Sequence, residues 1–225
     1  ATGQAVMLGL APLACFSGLF LVLRHLAASD VCNAPIYLLF YEVMGAAWIG
    51  AATYLMGWWG ISMRDDAVER RNPAAGLALV GALGGVTLCF AGANVGNGPG
   101  WWVVAFAAAL ATAGLMLAWL LVESGYGVGE TITIDRARTT GLRFGCFLTA
   151  CGIILGRAVA GDWVSAAQTV EDFGRLAWPV LVLITIEIFI GLRSRPKPRR
   201  PETPLMEAGI IPSVIYLGGA FWYVW

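Results

Sequence analysis

The sequence predicts an all-α fold, a polytopic transmembrane bundle of about seven spanning helices. Three observations predict it. The chain is 59% hydrophobic and only 12% charged, about half the charge fraction of a soluble domain, and its mean hydropathy is +0.75. Apolar runs of about 20 residues, long enough to cross a bilayer, recur along nearly the whole length. Arginines gather in every second connection between those runs, which fixes an orientation in the membrane.

The same numbers exclude several classes of function. A formal net charge of zero gives no basis for nucleic-acid binding or an acidic substrate. Cys15, Cys32, Cys89, Cys146 and Cys151 form no C-x-x-C pair and read as small hydrophobes in packed helices. His25 is the one histidine, and one imidazole does not build a metal or haem site. No nucleophile–base pair, phosphate loop or metal cluster is recognisable. The expectation is a non-enzymatic protein with no cofactor, whose partners are the lipid bilayer and other membrane subunits or further copies of itself.

The apolar segments lie near residues 6–27, 35–59, 73–94, 101–122, 139–160, 176–192 and 208–225. The first lacks a basic n-region and is long enough to span, so it reads as a retained helix rather than a signal peptide. The connection "NVGNGPG", Asn94 to Gly100, is built of turn residues and predicts a tight hairpin. Pro212 interrupts the last segment. Tryptophans at segment ends, Trp58, Trp59, Trp101, Trp102, Trp163 and Trp178 among them, form the expected interfacial belts.

Arg64, Arg70 and Arg71 follow the second segment, Arg136 and Arg138 the fourth, and Arg193, Arg195, Lys197, Arg199 and Arg200 the sixth. Positive connections stay in the cytoplasm, so the N-terminus is expected inside and the three stretches 62–72, 124–138 and 193–205 with it.

A single transmembrane domain over 1–225 is expected, and it carries an internal pattern. Setting Arg71 on Arg136 aligns Gly76 with Gly141, Leu77 with Leu142 and Ala91 with Gly156. The unit is helix, charged connection, small-residue helix, over 35–94 and again over 101–160, behind a leading helix at 6–27. In the trailing pair, 176–225, Pro204 and Ala208-Gly209 echo Pro73 and Ala75-Gly76 and suggest a third, degenerate copy. Each unit has two helices, so successive units share one orientation.

The opening of the third segment, "ERRNPAAGLALVGALGG", has a local logic. Asn72 is placed to cap free amides, and Pro73 occupies a first turn whose N–H would be unpaired anyway. Glycines four apart follow: Gly81 and Gly85, then Gly141 and Gly145, then Gly152 and Gly156. In lipid such spacing lets two backbones approach closely. These helices read as the packed centre of the bundle, with a subunit–subunit face as the alternative.

Those residues, "RRNPAAGLALVGALGG" with Trp101 and "ARTTGLRFGCFLTACGII" ending at Asp162-Trp163, resemble the bacterial inner-membrane family called domain of unknown function 350, over about 35–163. The resemblance implies two-helix repeats whose second helix opens with an Asn-Thr-Ala-Ala-Gly-like motif. Asn72-Pro73-Ala74-Ala75-Gly76 fits it. The second copy departs, with Ala137 where the asparagine belongs and Arg138 after it. The resemblance implies a fold and a membrane, and no reaction.

Two carboxylates lie well inside apolar segments, Glu42 and Glu187. A charge at mid-bilayer costs about 2.5–3.5 kcal/mol on insertion scales, so each is expected to face a partner or a cavity. Depth selects the partners. Glu187 lies about 9 Å inside the edge marked by Arg193, at about 1.5 Å per residue, and Arg143 lies at similar depth past Arg138. Glu42 and Arg157 sit at matching depths from the other side. The pairs are therefore Glu187 with Arg143 and Glu42 with Arg157. They serve either as ties that fix helix register or as parts of an ion or proton pathway.

Overall fold

The computed structural model describes residues 2–195 and 203–225; Lys197, Arg199 and Arg200 of the third basic connection lie outside them. All regular structure among the described residues is helical. Helices α1 (Thr2–His25), α3 (Pro35–Met56), α4 (Pro73–Ala93), α5 (Trp101–Tyr126) and α7 (Arg138–Val159) are the five long ones. Short helices α2 (Ser29–Cys32) and α6 (Val128–Thr133) punctuate the connections, and α8 (Ala166–Leu176), α9 (Pro179–Ser194) and α10 (Ile211–Val224) complete the chain.

Where the sequence predicts about seven spans, five helices among the described residues are long and apolar enough to cross a membrane, or six if α8 and α9, bent by 44° at their junction, form one span. The sixth apolar segment alone makes a helix of 16 residues, about 24 Å at 1.5 Å per residue, short of a hydrocarbon core about 30 Å thick. It needs α8 to reach across. The seventh segment yields a 14-residue helix behind a π-helical turn, Met206–Ile210, with Pro212 in its first turn. The connection between the fourth and fifth segments is also more ordered than a loop reading allowed. Helix α5 continues to Tyr126, where Gly127 in the left-handed region (φ 68°) stops it, and α6 occupies the middle of 124–138.

Helices α1, α4, α7 and α10 run parallel and stand in a row, each packed on the next. The parallel sense is visible at both ends. Gln4 near the start of α1 donates to the Asn72 carbonyl at the start of α4 (2.9 Å), and at the far end Gly96 donates to the Leu26 carbonyl. Buried positions make up 72% of the span window in both α4 and α7, against 17% in α1 and 22% in α3. The α4–α7 pair is therefore the core, and α1 and α3 lie at the periphery.

The charged connections meet at one end of the bundle. A π-helical turn, Met63–Glu69, precedes α4 as α6 precedes α7, and the two connections close alike. Among the described residues, Arg71 (φ 50°) and Arg136 (φ 54°) are the non-glycine residues with positive φ. The amide after each bonds back six residues, Asn72 to the Asp66 carbonyl and Ala137 to the Thr131 carbonyl. The Arg136 guanidinium then donates to the Arg70 and Arg71 carbonyls. At the opposite end, Asn97 donates through its backbone (2.8 Å) and side chain (2.9 Å) to Asp162, and Gly161 donates to the Val95 carbonyl. Asp162 is fully exposed, and these hydrogen bonds hold its carboxyl below the ordinary carboxylate range.

Candidate functional site

The α4–α7 contact shows what the glycines do. A Cβ at Gly81 would overlap the Gly145 backbone, one at Gly141 the backbone of Ala74, and one at Gly156 the Leu88 carbonyl. A Cβ at Gly85 would fall 2.6 Å from the Leu148 carbonyl oxygen, at Gly145 2.5 Å from that of Leu77, and at Gly152 2.5 Å from the Gly85 Cα. All six face the partner helix at backbone distance, which only the absence of a side chain permits. Gly92 extends the seam, against Gly156; it falls seven residues after Gly85, two turns along the same face, and that spacing could have found it.

Asn72 caps α4. Its Oδ1 accepts from the amides of Ala74 (3.0 Å) and Ala75 (3.4 Å), and its Nδ2 donates to the Ile132 carbonyl at 2.8 Å. The side chain is buried, so one residue both closes a helix end and ties the first charged connection to α6. Ala137 at the matching place makes no side-chain cap.

Arg143 on α7 and Glu187 on α9 meet, and both are fully buried. The Arg143 Nε donates to both carboxylate oxygens, at 3.0 and 2.9 Å. Tyr126 at the end of α5 donates to Oε1 at 2.8 Å, and Tyr216 on α10 donates to Oε2 at 2.9 Å. On the cation's other side, Nη1 donates to the Ser194 hydroxyl (3.1 Å) and the Ala208 carbonyl (2.7 Å), and Nη2 to the Tyr126 hydroxyl (3.4 Å). The Ala208 carbonyl is available for a local reason: four residues on stands Pro212, which has no N–H to return to it.

Each charge is thereby paired and each oxygen saturated, the condition under which a buried ion pair is tolerated. The cluster joins α5, α7, α9, α10 and the turn before α10. Its members Tyr126, Tyr216 and Ser194 were not picked out from the sequence. Tyr126 lay beyond the expected end of its helix at 122, and no local pattern marks a tyrosine as a hydrogen-bond donor to a distant glutamate. Pro212 was a usable signal for the free Ala208 carbonyl.

Glu42 and Arg157 do not meet, which corrects the second pairing. Arg157 is exposed and Glu42 half-buried, and no ion pair joins them among the described residues. Matching depth is one coordinate of two. Helix α3 packs on α1 and α4, while Arg157 belongs to α7 on the other side of α4. The Glu42 Oε2 is buried with no hydrogen-bond partner among the described residues.

A family model, described as Domain of Unknown Function (DUF350), matches residues 21–159. The chain belongs to this family. The match runs from inside α1 to the end of α7 and takes in the glycine seam, the Asn72 cap and Arg143, while Glu187 and Tyr216 lie beyond it. No curated protein and no solved structure matches the chain. The DUF350 assignment and the long apolar helices together make this a multi-pass membrane protein.

Proposed function

We propose that the chain is a non-enzymatic structural subunit, a scaffold of a membrane assembly formed with other membrane proteins or with its own copies. The observation that carries this reading is the sealed Arg143–Glu187 cluster, whose charges are bonded on every side and buried among four helices. A carboxylate on a conduction path must exchange partners, whereas one saturated by an arginine and two tyrosines holds helices in register. The backbone-close seam of α4 and α7 supports the same rigid role.

The chain is read as a bacterial inner-membrane protein, as its family resemblance implies, and with a cytoplasmic N-terminus, on the strength of the arginines gathered at one end of the bundle. It is further read as built from two-helix units, a reading supported by the matched closures at Arg71 and Arg136. The rival reading is an ion channel or secondary transporter using Glu42 and Glu187, and one observation favours it: the unpartnered Glu42 Oε2 inside a spanning helix. Flux measurements in reconstituted vesicles separate the two. The scaffold reading expects no proton or cation flux dependent on either carboxylate, and a defined higher-mass species in detergent. Flux that is abolished by Glu42→Gln or Glu187→Gln, in protein that remains folded, overturns it.

A further inference from the structure

At the end of the bundle away from the charged connections, α2, the start of α3, the 94–100 connection and the start of α5 enclose a pocket of about 440 Å³. Two of its lining side chains are more than nine-tenths buried and keep a polar atom unpaired among the described residues. Tyr41 is 8% exposed, and its hydroxyl makes no hydrogen bond there. Asn94 is 5% exposed; its Nδ2 donates to the Phe90 carbonyl at 2.8 Å, and its Oδ1 accepts from nothing. Neither atom is sealed away from the pocket's solvent, so both are free to bond a group that enters it.

The lining defines what kind. Asp30 supplies a carboxylate, and among the described residues no lysine, arginine or histidine lines the pocket. One oxygen of Asp30 accepts from the Val31 amide at 3.0 Å, which leaves the other available. Tyr37, Phe40 and Tyr41 add aromatic rings, the last two edge to face with centroids 5.2 Å apart. Acceptor oxygens, one negative charge and π-faces with no competing cation suit a positively charged N–H donor.

We propose that this pocket binds a primary ammonium group. A quaternary ammonium lacks the N–H donors that the Asp30 carboxylate, the Asn94 amide oxygen and the Tyr41 hydroxyl would accept, so it fits worse. The ammonium has two sources: the headgroup of an ethanolamine lipid, since Trp101 places the pocket at the level of an interfacial aromatic belt, or a free alkylamine from the adjoining solution.

Calorimetric titration of the purified full chain in a maltoside detergent tests this with three probes: ethanolamine, a short-chain phosphatidylethanolamine, and phosphatidylcholine of the same chains. Saturable binding is expected for a primary amine, with phosphatidylcholine about tenfold weaker or more. Binding of the ethanolamine lipid alone identifies a headgroup, and comparable binding of ethanolamine identifies a free amine. Asp30→Asn, at an exposed position, is expected to weaken binding about tenfold, the loss of one charge-assisted hydrogen bond, and Tyr41→Phe several-fold without disturbing the fold. Absence of saturable binding by both primary amines, equal binding of phosphatidylcholine, or an unchanged affinity in Asp30→Asn would overturn the proposal.

Discussion

Replacing Glu187 by leucine removes the acceptor for the Arg143 Nε and for two tyrosine hydroxyls at once. The guanidinium then stays buried, and it is always charged, so it has no means of neutralising itself. Breaking such a pair typically costs about 3–5 kcal/mol. Arg143→Leu is expected to cost less, because the orphaned carboxylate keeps the Tyr126 and Tyr216 donors. The double variant Arg143→Leu/Glu187→Leu leaves neither charge and is expected to recover much of the loss, with a coupling energy of about 2–3 kcal/mol. Reversible unfolding in mixed micelles, followed by tryptophan fluorescence for the four members of the cycle, measures it. Single losses that add to within about 0.5 kcal/mol would refute the reasoning, since independent groups are not a coupled pair.

Four further outcomes are expected. Gly85→Leu drives a side chain into the Leu148 carbonyl and is expected to lower the melting temperature in detergent sharply, whereas Gly218→Ala, with nothing within 4 Å of its added Cβ, is expected to stay within about 0.5 kcal/mol of the parent. Asn72→Ala removes both the α4 cap and the bond to Ile132, with an expected loss of about 1–2 kcal/mol in the same unfolding assay. Hydrogen bonds from Asn97 hold the Asp162 carboxyl below the ordinary aspartate value of 3.8, so its contribution is present above that value and lost as pH falls through the lower folded one; the melting-temperature gap between the parent and Asp162→Asn is expected to narrow as the pH is lowered past 3.8. A cysteine at exposed Arg64 is expected to resist an impermeant maleimide added outside intact cells while one at exposed Ser165 reacts, and the reverse pattern would invert the proposed orientation.

The two core helices were legible because their signals are local. Pro73 behind Asn72 marks a helix start by its own backbone chemistry, and glycines four residues apart lie on one face whatever surrounds them. The Arg143–Glu187 contact was legible through depth, and depth sufficed because α9 lies beside α7. The same rule failed for Glu42 and Arg157, since a linear sequence gives height along a helix but not which helix stands next to it. Helix α8 escaped notice for a different reason. Its polar residues Gln168, Glu171, Asp172 and Arg175 break any long apolar run, and only a helical periodicity over 11 residues announces it.

The seam between α4 and α7 has a mechanical consequence. Where side chains interdigitate, helices can slide by swapping rotamers, but here carbonyls and α-carbons of one helix rest directly on those of the other. A shift by one residue along the axis would bring Cβ atoms of alanine, leucine or phenylalanine into spaces sized for hydrogen. The pair therefore behaves as a keel, unable to slip or roll without separating entirely. Any motion the molecule makes within the membrane falls to its flanks: α1 and α3, held by few buried positions, and the hinge of 44° between α8 and α9.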